Sequence, residues 1–156
     1  MIEFVASAPF TVGLEEELLL VDATTHQLAP VAAEVVAALG EAESAGHEAY
    51  AAEIELRSAP AADVASAVAE LERLRGRAST AGAALLGVGV HPSGAFGDAR
   101  LVDAERYRRV DEEMRGLIRR TPECALHVHV GMTDVETAIV VFNRLRSHLP
   151  LLQGLA

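Results

Sequence analysis

The sequence of 156 residues contains no lysine, so each of its 13 basic residues is an arginine. This absence excludes mechanisms built on a lysine side chain, such as a Walker A phosphate site, a Schiff base or the strand lysine of protein kinases. A chain without lysine must bind phosphate through arginines, backbone amides or a divalent cation. The composition therefore favours metal-dependent chemistry if the substrate carries phosphate.

Tryptophan is also absent, aromatic residues make up 4% of the chain, and Cys124 is the single cysteine. Because 51% of the residues are hydrophobic, the chain can still bury a core built from alanine, valine, leucine and isoleucine. We expect one domain over residues 1–156. A single cysteine cannot form an intrachain disulfide, and we expect Cys124 to be a small buried residue.

The chain has no apolar run close to the roughly 20 residues that cross a bilayer, and its first residues lack the features of a signal peptide. Acidic residues outnumber basic ones by 23 to 13, which gives a net charge of −10. This charge repels the phosphates of nucleic acids and the headgroups of anionic lipids. We therefore expect a cytoplasmic protein that binds neither nucleic acid nor membranes.

Hydrophobic periodicity and turn residues predict a mixture of strands and helices. The predicted strands cover residues 10–22, 47–57, 85–91 and 125–132. The predicted helices cover residues 30–39, a segment after Pro60, 103–120 and 133–149. The segment after Pro60 has Val64, Val68, Leu71 and Leu74 on its apolar face. Asp103 is the predicted cap of the third helix, and Thr133 and Glu136 form a capping box for the fourth. Pro150 is expected to end the last helix, and the apolar residues after it predict a fold that continues beyond this sequence.

Two predicted strands carry pairs of acidic residues at alternate positions. Side chains alternate between the faces of a strand, so Glu15 and Glu17 share one face while Glu16 points to the other. By the same rule Glu53, Glu55 and Arg57 share a face, with Glu48 ahead of them. Paired carboxylates on a buried strand need a neutralising partner, for which a divalent cation is suited. A solvated acidic edge strand and an ion-paired surface are the alternatives.

A third predicted strand places His127 and His129 on one face. A zinc site, a pair of hydrogen-bonded core histidines, and a histidine contribution to a mixed carboxylate site all fit this spacing. If the three strands are neighbours in one sheet, their side chains form a site for magnesium and phosphate chemistry.

Several separated motifs occur together in one order. They are Phe10–Asp22 with its three glutamates, His47-Glu48 followed by Glu53-Ile54-Glu55, Gly89-Val90-His91-Pro92, Cys124–Gly131, and Asn143–Arg146 followed by Leu149-Pro150. In these motifs the chain resembles the second type of glutamate–cysteine ligase, also described as carboxylate–amine ligases. The resemblance implies an α+β fold like the catalytic domain of glutamine synthetase, a curved, mainly antiparallel sheet with helices on its outer face. It also implies that residues 1–156 are the N-terminal part of a glutamate–cysteine ligase-like catalytic domain, so the sheet is incomplete here.

The resemblance also implies an ATP-dependent reaction in which the γ-carboxylate of glutamate becomes an acyl phosphate and the amine of cysteine, or another amine, displaces phosphate. Mg²⁺ or Mn²⁺ is the implied cofactor. The implied site residues, by position in this sequence, are the metal ligands Glu15, Glu17, Glu48, Glu55 and His127 and the substrate-binding residues His129, Arg57 and His91. Departures from the family pattern are Glu53 in place of glutamine, Ala125 in place of glycine and Val90 in place of threonine.

Two other functions compete with a complete ligase. One is a truncated, non-catalytic module of the same family that binds metal or a full-length relative, since the resemblance covers less than half of a family member. The other is a zinc hydrolase built on the histidine strand. An incomplete sheet would leave an open edge and an apolar face, so we expect a homo-oligomer.

Overall fold

The structure is a computed structural model that describes residues 3–94, 97 and 99–155. Its strands are β1 (Val12–Val21), β2 (Ala45–His47), β3 (Glu53–Arg57), β4 (Ala84–Leu86) and β5 (Leu126–Val130). Its helices are α1 (Ala32–Leu39), α2 (Val64–Ala78), α3 (Glu105–Glu113), α4 (Val135–Leu145) and α5 (Leu149–Leu155). The predicted α+β class is confirmed. The likeness to the glutamine synthetase catalytic fold stays a prediction.

Strand β1 is the centre of an open antiparallel sheet with the order β2-β3-β1-β4. β3 pairs with residues 15–19 of β1. On the opposite edge of β1, β5 pairs with residues 12–16 and β4 with residues 19–21. The two strands β4 and β5 therefore lie end to end along the same edge.

The core lies between one face of this sheet and the helices α1 and α2. Leu14, Leu18 and Leu20 of β1 point to this face because they are an even number of residues apart. On α2 the buried positions are Ala67, Leu71, Leu74 and Ala78, whereas Val64 and Val68 are 56% and 37% exposed. The predicted helix is thus correct, but its buried face starts at Ala67 and not at Val64.

The predicted single strand 47–57 is wrong, since β2 ends at His47 and β3 begins at Glu53. Between them Tyr50 is buried, and its hydroxyl donates a hydrogen bond to the Ile118 carbonyl at 2.7 Å. This hydrogen bond ties the segment between β2 and β3 to the 3-10 helix Leu117–Arg119. Strand β4 is likewise shorter than the predicted 85–91.

The predicted caps of the later helices also need correction. Asp103 does not cap α3, whose N-terminal flanking residue is Ala104 without a side-chain hydrogen bond. The cap of α4 is Asp134, which accepts a hydrogen bond from the Thr137 amide at 2.7 Å, and not Thr133. Pro150 does not end the last helix. It lies in the first turn of α5, where proline is tolerated because the amide there has no helical partner.

Helices α4 and α5 follow one another through a 3-10 turn at Arg146–His148, and none of their described residues is buried. Within the described residues, no helix combines the length and the apolar character that a membrane span requires.

Candidate metal centre

The register of the sheet brings the predicted acidic and histidine strands together. Glu17 lies directly opposite Glu55 on β3, and Glu15 lies opposite His127 on β5. Glu15 is also opposite Arg57. These side chains share the sheet face opposite α1 and α2, as the alternation rule predicted. The same rule places Glu16 on the helix side, where it accepts hydrogen bonds from Arg75 at 2.5 and 2.6 Å.

Glu15, Glu55 and His127 form the centre of the site. Each offers one ligand atom, and these three atoms all lie within 4.8 Å of one another. The His127 Nδ1 atom is 3.5 Å from Glu15 Oε2, and His129 Nε2 is 2.9 Å from the same oxygen. Two carboxylates and an imidazole are a donor set that suits Mg²⁺ or Mn²⁺, so the residues present fit the implied cation.

The surroundings of these three residues contradict two alternatives. β1 is paired on both edges, so it is not a solvated acidic edge strand. The side chains of His127 and His129 are 48% and 61% exposed, so they are not core histidines. Both imidazoles face the sheet surface, where an incoming ligand can reach them.

Glu17 and Glu48 add negative charge beside the centre. The Ala125 amide donates a hydrogen bond to Glu17 Oε2 at 2.6 Å. Burial raises the pKa of Glu17, and the charges of Glu48 and Glu55 raise it further, while the Ala125 hydrogen bond and His127 act in the opposite direction. The negative charges of Glu48 and Glu55 thus act on the carboxyl group of Glu17, and a bound cation would neutralise this group of charges.

Arg57 holds Glu55 in place. Its Nη1 atom donates to Glu55 Oε2, while Nε and Nη2 donate to the carbonyls of Glu43 and Ala42 at 3.1 and 3.3 Å. Gly46 makes room for the guanidinium, because a Cβ at this position would lie 3.1 Å from Nη1. The structure therefore gives Arg57 a role in orienting Glu55. Its assignment to substrate binding stays a prediction.

Glu53 and Cys124 form a hydrogen-bonded pair that the sequence did not predict. Glu53 is 2% exposed, and the Cys124 thiol donates to its Oε1 at 3.1 Å. Burial is the main cause that raises the pKa of Glu53 to about 7, and it also raises the pKa of the thiol. The sequence feature that pointed to Glu53 was its position two residues before Glu55 on a predicted strand. Nothing in the sequence connected it with Cys124.

A cavity of about 250 Å³ opens where β4 and β5 meet end to end. It adjoins the centre, because Glu17 and Cys124 contribute to its wall. The other residues of the wall are Glu16, Gly87, Val88, Gly89, Ala125 and Leu126.

His91 lies apart from the centre. It is 6% exposed, Nε2 donates to the His26 carbonyl at 2.9 Å, and Nδ1 accepts from the Ser93 amide at 3.3 Å. It lines a cavity with Val21, at the other end of β1. At about 3.3 Å per residue, Val21 is roughly 20 Å from Glu15. The structure does not bring His91 to the carboxylates, and its substrate role stays a prediction.

The fold and the site define an α+β protein whose antiparallel sheet presents carboxylates and imidazoles on one face. The chain belongs to the glutamate–cysteine ligase family 2, whose family model matches residues 11–156. This confirms the resemblance inferred from the motifs.

Three relatives illustrate the similarity. A protein of Rubrobacter xylanophilus named "Putative glutamate–cysteine ligase 2-1" is 36% identical over 99% of this chain and 43% of its own length. A protein of Paracoccus denitrificans named "Putative glutamate–cysteine ligase 2" is 38% identical over 94% of this chain and 41% of its own length. A second Rubrobacter protein, "Putative glutamate–cysteine ligase 2-3", is 37% identical over 98% and 44%. The chain thus spans less than half the length of these curated relatives.

Proposed function

We propose that the chain forms the metal-binding sheet of an ATP-dependent carboxylate–amine ligase. The reaction would activate the γ-carboxylate of glutamate as an acyl phosphate, which the amine of cysteine or another amine attacks with release of phosphate. Family membership supports the ligase class. The juxtaposition of Glu15, Glu55 and His127 is the observation that carries the proposal, because it supplies ligands for a divalent cation.

The cation would be Mg²⁺ or Mn²⁺, held by Glu15, Glu55 and His127 with Glu17 and Glu48 beside them. When bound, such a cation stabilises the charge on phosphoryl oxygens. The residues of the sheet have three tasks around it. Glu15 and Glu55 provide oxygen ligands, Arg57 orients Glu55 through its hydrogen bond, and the Ala125 amide orients Glu17.

The acidity of the site makes ATP binding depend on the metal. Carboxylates that face one another repel the triphosphate of ATP in the absence of a cation. His129 adds an exposed ring next to Glu15, where it can donate a hydrogen bond to a substrate oxygen or to Glu15 itself. We expect substrates to approach over this face and not through the His91 cavity.

A second candidate is a metal-binding module of this family without ligase activity of its own. The observation that favours it is length, since the chain covers 43% of the Rubrobacter relative. Both candidates predict a cation on the sheet, and they differ in whether this chain binds ATP and turns over substrates.

The first experiment measures Mn²⁺ binding by electron paramagnetic resonance with the 156-residue chain. We expect Glu15→Gln and Glu55→Gln each to weaken Mn²⁺ binding by at least about tenfold, because each removes a charged ligand. Glu72→Gln is the matched control, since it makes the same charge change at an exposed position of α2. Equal affinity in all four proteins, with unchanged circular dichroism, would exclude this cluster as the metal site. Stoichiometric zinc in the purified chain would favour a zinc hydrolase.

Titration calorimetry then separates the two candidates. ATP is titrated with Mg²⁺ and again with EDTA, followed by assays of phosphate release with glutamate and cysteine. Binding that requires Mg²⁺ would support the ligase. A chain that binds Mn²⁺ at the cluster but neither binds ATP nor releases phosphate would be the non-catalytic module.

A further inference from the structure

Residues 7–11 form a strap at the end of strand β5. Within the strap the Thr11 hydroxyl donates a hydrogen bond to the Ala8 carbonyl at 3.0 Å, which closes a tight turn. The Ser7 amide donates to the Met132 carbonyl at 2.9 Å, and the Met132 amide donates to the Ser7 hydroxyl oxygen at 3.2 Å. The strap therefore binds the chain directly after β5.

The strap leads into β1 through a β-bulge. The Phe10 amide donates to the Gly131 carbonyl at 2.8 Å, and the Gly131 amide donates to the Thr11 carbonyl at 2.8 Å, so two strap residues oppose one residue. Phe10 has a φ of 57°, a left-handed conformation for which glycine is usual at this position of a bulge. The backbone of a phenylalanine stays in this conformation only where contacts hold it. Here the hydrogen bonds with Gly131 hold it.

Gly131 lets the strap approach the sheet closely. A Cβ at this position would collide with the Ala8 carbonyl oxygen and Thr11 Oγ1 and would lie 3.0 Å from Ser7 Oγ. An alanine there requires the backbone of the strap to move, since one of the colliding atoms belongs to the main chain. Because Gly131 is two residues after His129, that Cβ would point to the same face of the sheet as the imidazole. The strap thus packs on the face that carries the metal centre, roughly 7 Å along the strand from His129.

Strand β5 is held in the sheet along one edge. In the part of the chain that the structure describes, it pairs with β1 alone, and each of its residues is exposed. It nevertheless carries the imidazoles of His127 and His129, whose nitrogens lie 3.5 and 2.9 Å from Glu15 Oε2. A carboxylate and an imidazole from different strands can share a cation only while such distances are kept. The histidine side of the centre therefore depends on how firmly the end of β5 is held.

We propose that the strap is a positioning element of the metal centre and that, together with Gly131, it holds β5 on β1. It thereby sets His127 and His129 at their distances from Glu15. Family membership does not assign this role, because the family model begins its match at residue 11, the last residue of the strap. The part of the proposal that concerns the cation rests on the proposed function, whereas the hold on β5 does not.

Amide hydrogen exchange in the presence of EDTA tests the hold on β5 without metal. The amides of His127 and His129 face β1, because the odd-numbered residues of this antiparallel pair bond to it, as Gly131 does. Ile54 and Leu56 of β3, on the other edge of β1, are the internal reference. We expect Gly131→Ala to raise the exchange rates of the two histidine amides at least about tenfold relative to this reference.

Control variants separate the strap from a general loss of stability. Gly76→Ala makes the same change on α2, where a Cβ would meet nothing within 4 Å, and should leave the ratio of rates unchanged. Ser7→Ala is a milder variant that removes the acceptor of the Met132 amide and should raise the ratio by a smaller factor. Ser147→Ala, which removes an exposed hydroxyl elsewhere, is its control. An unchanged ratio in Gly131→Ala and Ser7→Ala would overturn the proposal, and Ser7→Ala alone decides if Gly131→Ala does not fold.

Pulsed electron paramagnetic resonance of bound Mn²⁺ tests the consequence for the metal centre. An imidazole nitrogen bound to Mn²⁺ modulates the electron spin echo, so this nitrogen signal reports on His127. We expect Gly131→Ala to lose most of the signal and to bind Mn²⁺ about tenfold more weakly, as loss of a supporting contact does. Gly76→Ala should keep both. In the His127→Ala background, Gly131→Ala should weaken binding no further, because the strap acts through the histidine strand.

The outcomes distinguish this proposal from the proposed function. An unchanged nitrogen signal and Mn²⁺ affinity in Gly131→Ala would overturn the role of the strap in the metal centre. An equal loss of affinity with and without His127 would do the same. If the unmodified chain binds no Mn²⁺, the proposed function fails and the metal part of this proposal fails with it, whereas the exchange ratio alone decides whether the strap holds β5.

Discussion

The carboxyl group of Glu53 lies in the protein interior, 2% exposed, with the Cys124 thiol as its hydrogen-bond donor. Burial disfavours its charged form and raises its pKa from 4.5 to about 7, and the nearby charges of Glu17 and Glu48 act in the same direction. A group whose pKa is raised on folding binds its proton more tightly in the folded state. Its ionisation near neutral pH therefore destabilises the fold.

This shift predicts a stability that falls with pH. The contribution of Glu53 to the free energy of unfolding is fully present below pH 4.5, and it is lost as pH rises through about 7. Between pH 4.5 and about 7 the free energy of unfolding falls by about 1.36 kcal/mol per pH unit, which gives a total loss of about 3 kcal/mol. Glu53→Gln cannot ionise, and its amide oxygen can still accept the Cys124 hydrogen bond. We expect this variant to match the unmodified chain at pH 4.5 and to be more stable at pH 8.

Urea unfolding with EDTA between pH 4.5 and 8 measures this difference. Glu72→Gln, which removes an exposed carboxylate, should keep the pH dependence of the unmodified chain. Parallel curves for Glu53→Gln and the unmodified chain would show that Glu53 titrates normally.

A second prediction at the scale of single residues concerns Arg57. Arg57→Leu removes the partner of Glu55, a carboxylate that is 8% exposed, and leaves the carbonyls of Ala42 and Glu43 without their donor. We expect the free energy of unfolding at pH 7 to fall by about 1–3 kcal/mol, because a buried group loses its partner.

Arg108→Leu serves as the control for Arg57→Leu. Arg108 lies 3.8 Å from Asp103, and both side chains are largely exposed. We expect its loss to change stability by less than about 0.5 kcal/mol. Urea denaturation gives both values, and equal values would refute the structural role of Arg57.

Strand alternation was enough to predict which residues of one strand share a face. Glu15 and Glu17 share a face of β1 because they are two residues apart, and this pattern is local. Glu55 and His127 join that face through the pairing of β3 and β5 with β1, which the sequence offered only as a condition. The ring of His91 is held by the carbonyl of His26, a contact between distant segments. No sequence pattern encodes that contact, so the role of His91 could not be judged from its motif.

At the scale of elements, capping side chains explain where two helices begin. Asp63 accepts hydrogen bonds from the Ser66 amide at 2.8 Å and from its hydroxyl at 3.2 Å. These hydrogen bonds lower the pKa of Asp63. We expect Asp63→Ala to lower the free energy of unfolding by about 1 kcal/mol, as loss of an N-cap does.

The control for Asp63→Ala is Asp22→Ala. Asp22 accepts comparable amide hydrogen bonds, from Thr24 and Thr25, in an exposed turn and not at a helix N-terminus. Thermal unfolding followed at the helical circular dichroism band measures both variants, and a cap effect should reduce helix content in Asp63→Ala alone. Equal loss of helix content in both would contradict the assignment of Asp63 as the cap.

The elements that were predicted incorrectly depend on contacts far along the chain. Residues 48–52 contain no glycine or proline, so nothing local marks the turn between β2 and β3. In this segment Tyr50 donates a hydrogen bond to the carbonyl of Ile118, 68 positions away. At the start of α4, Thr133 and Asp134 are both acceptable caps, and only backbone geometry selects Asp134.

At the scale of the whole molecule, the proposed cation should stabilise the fold by mass action. At a Mn²⁺ concentration ten times the dissociation constant, we expect a gain of about 1.4 kcal/mol. This corresponds to an increase in Tm of roughly 3–6 °C for a chain of this length. Glu15→Gln should lose most of the increase, whereas Glu72→Gln should keep it. Differential scanning calorimetry with MnCl₂ and with EDTA gives the comparison, and equal increases in all three proteins would place the stabilising ion elsewhere.

The α+β class could be predicted from the mixture of periodicities, and the family from its motifs. The sheet order could not. Strands β4 and β5 share one edge of β1, and neither their lengths nor their sequences indicate which part of β1 each one pairs with. The paired residues lie far apart in the sequence, such as Leu20 with Leu85 and Glu15 with His127, so no local pattern encodes that choice.

The central position of β1 has a consequence for the order of folding. The residues that pair between β1 and β3 are 34 to 42 positions apart, from Leu19 with Glu53 to Glu15 with Arg57. The contact of β1 with β5 joins residues 114 positions apart, as between Glu15 and His129. Closing a longer loop costs more chain entropy, and long-range contacts form slowly. The β1–β3 pair with α2 should therefore form early and β5 last. The histidines would then reach the carboxylates only in the final step, so a partly folded chain holds half of the metal site and acquires the other half when β5 pairs.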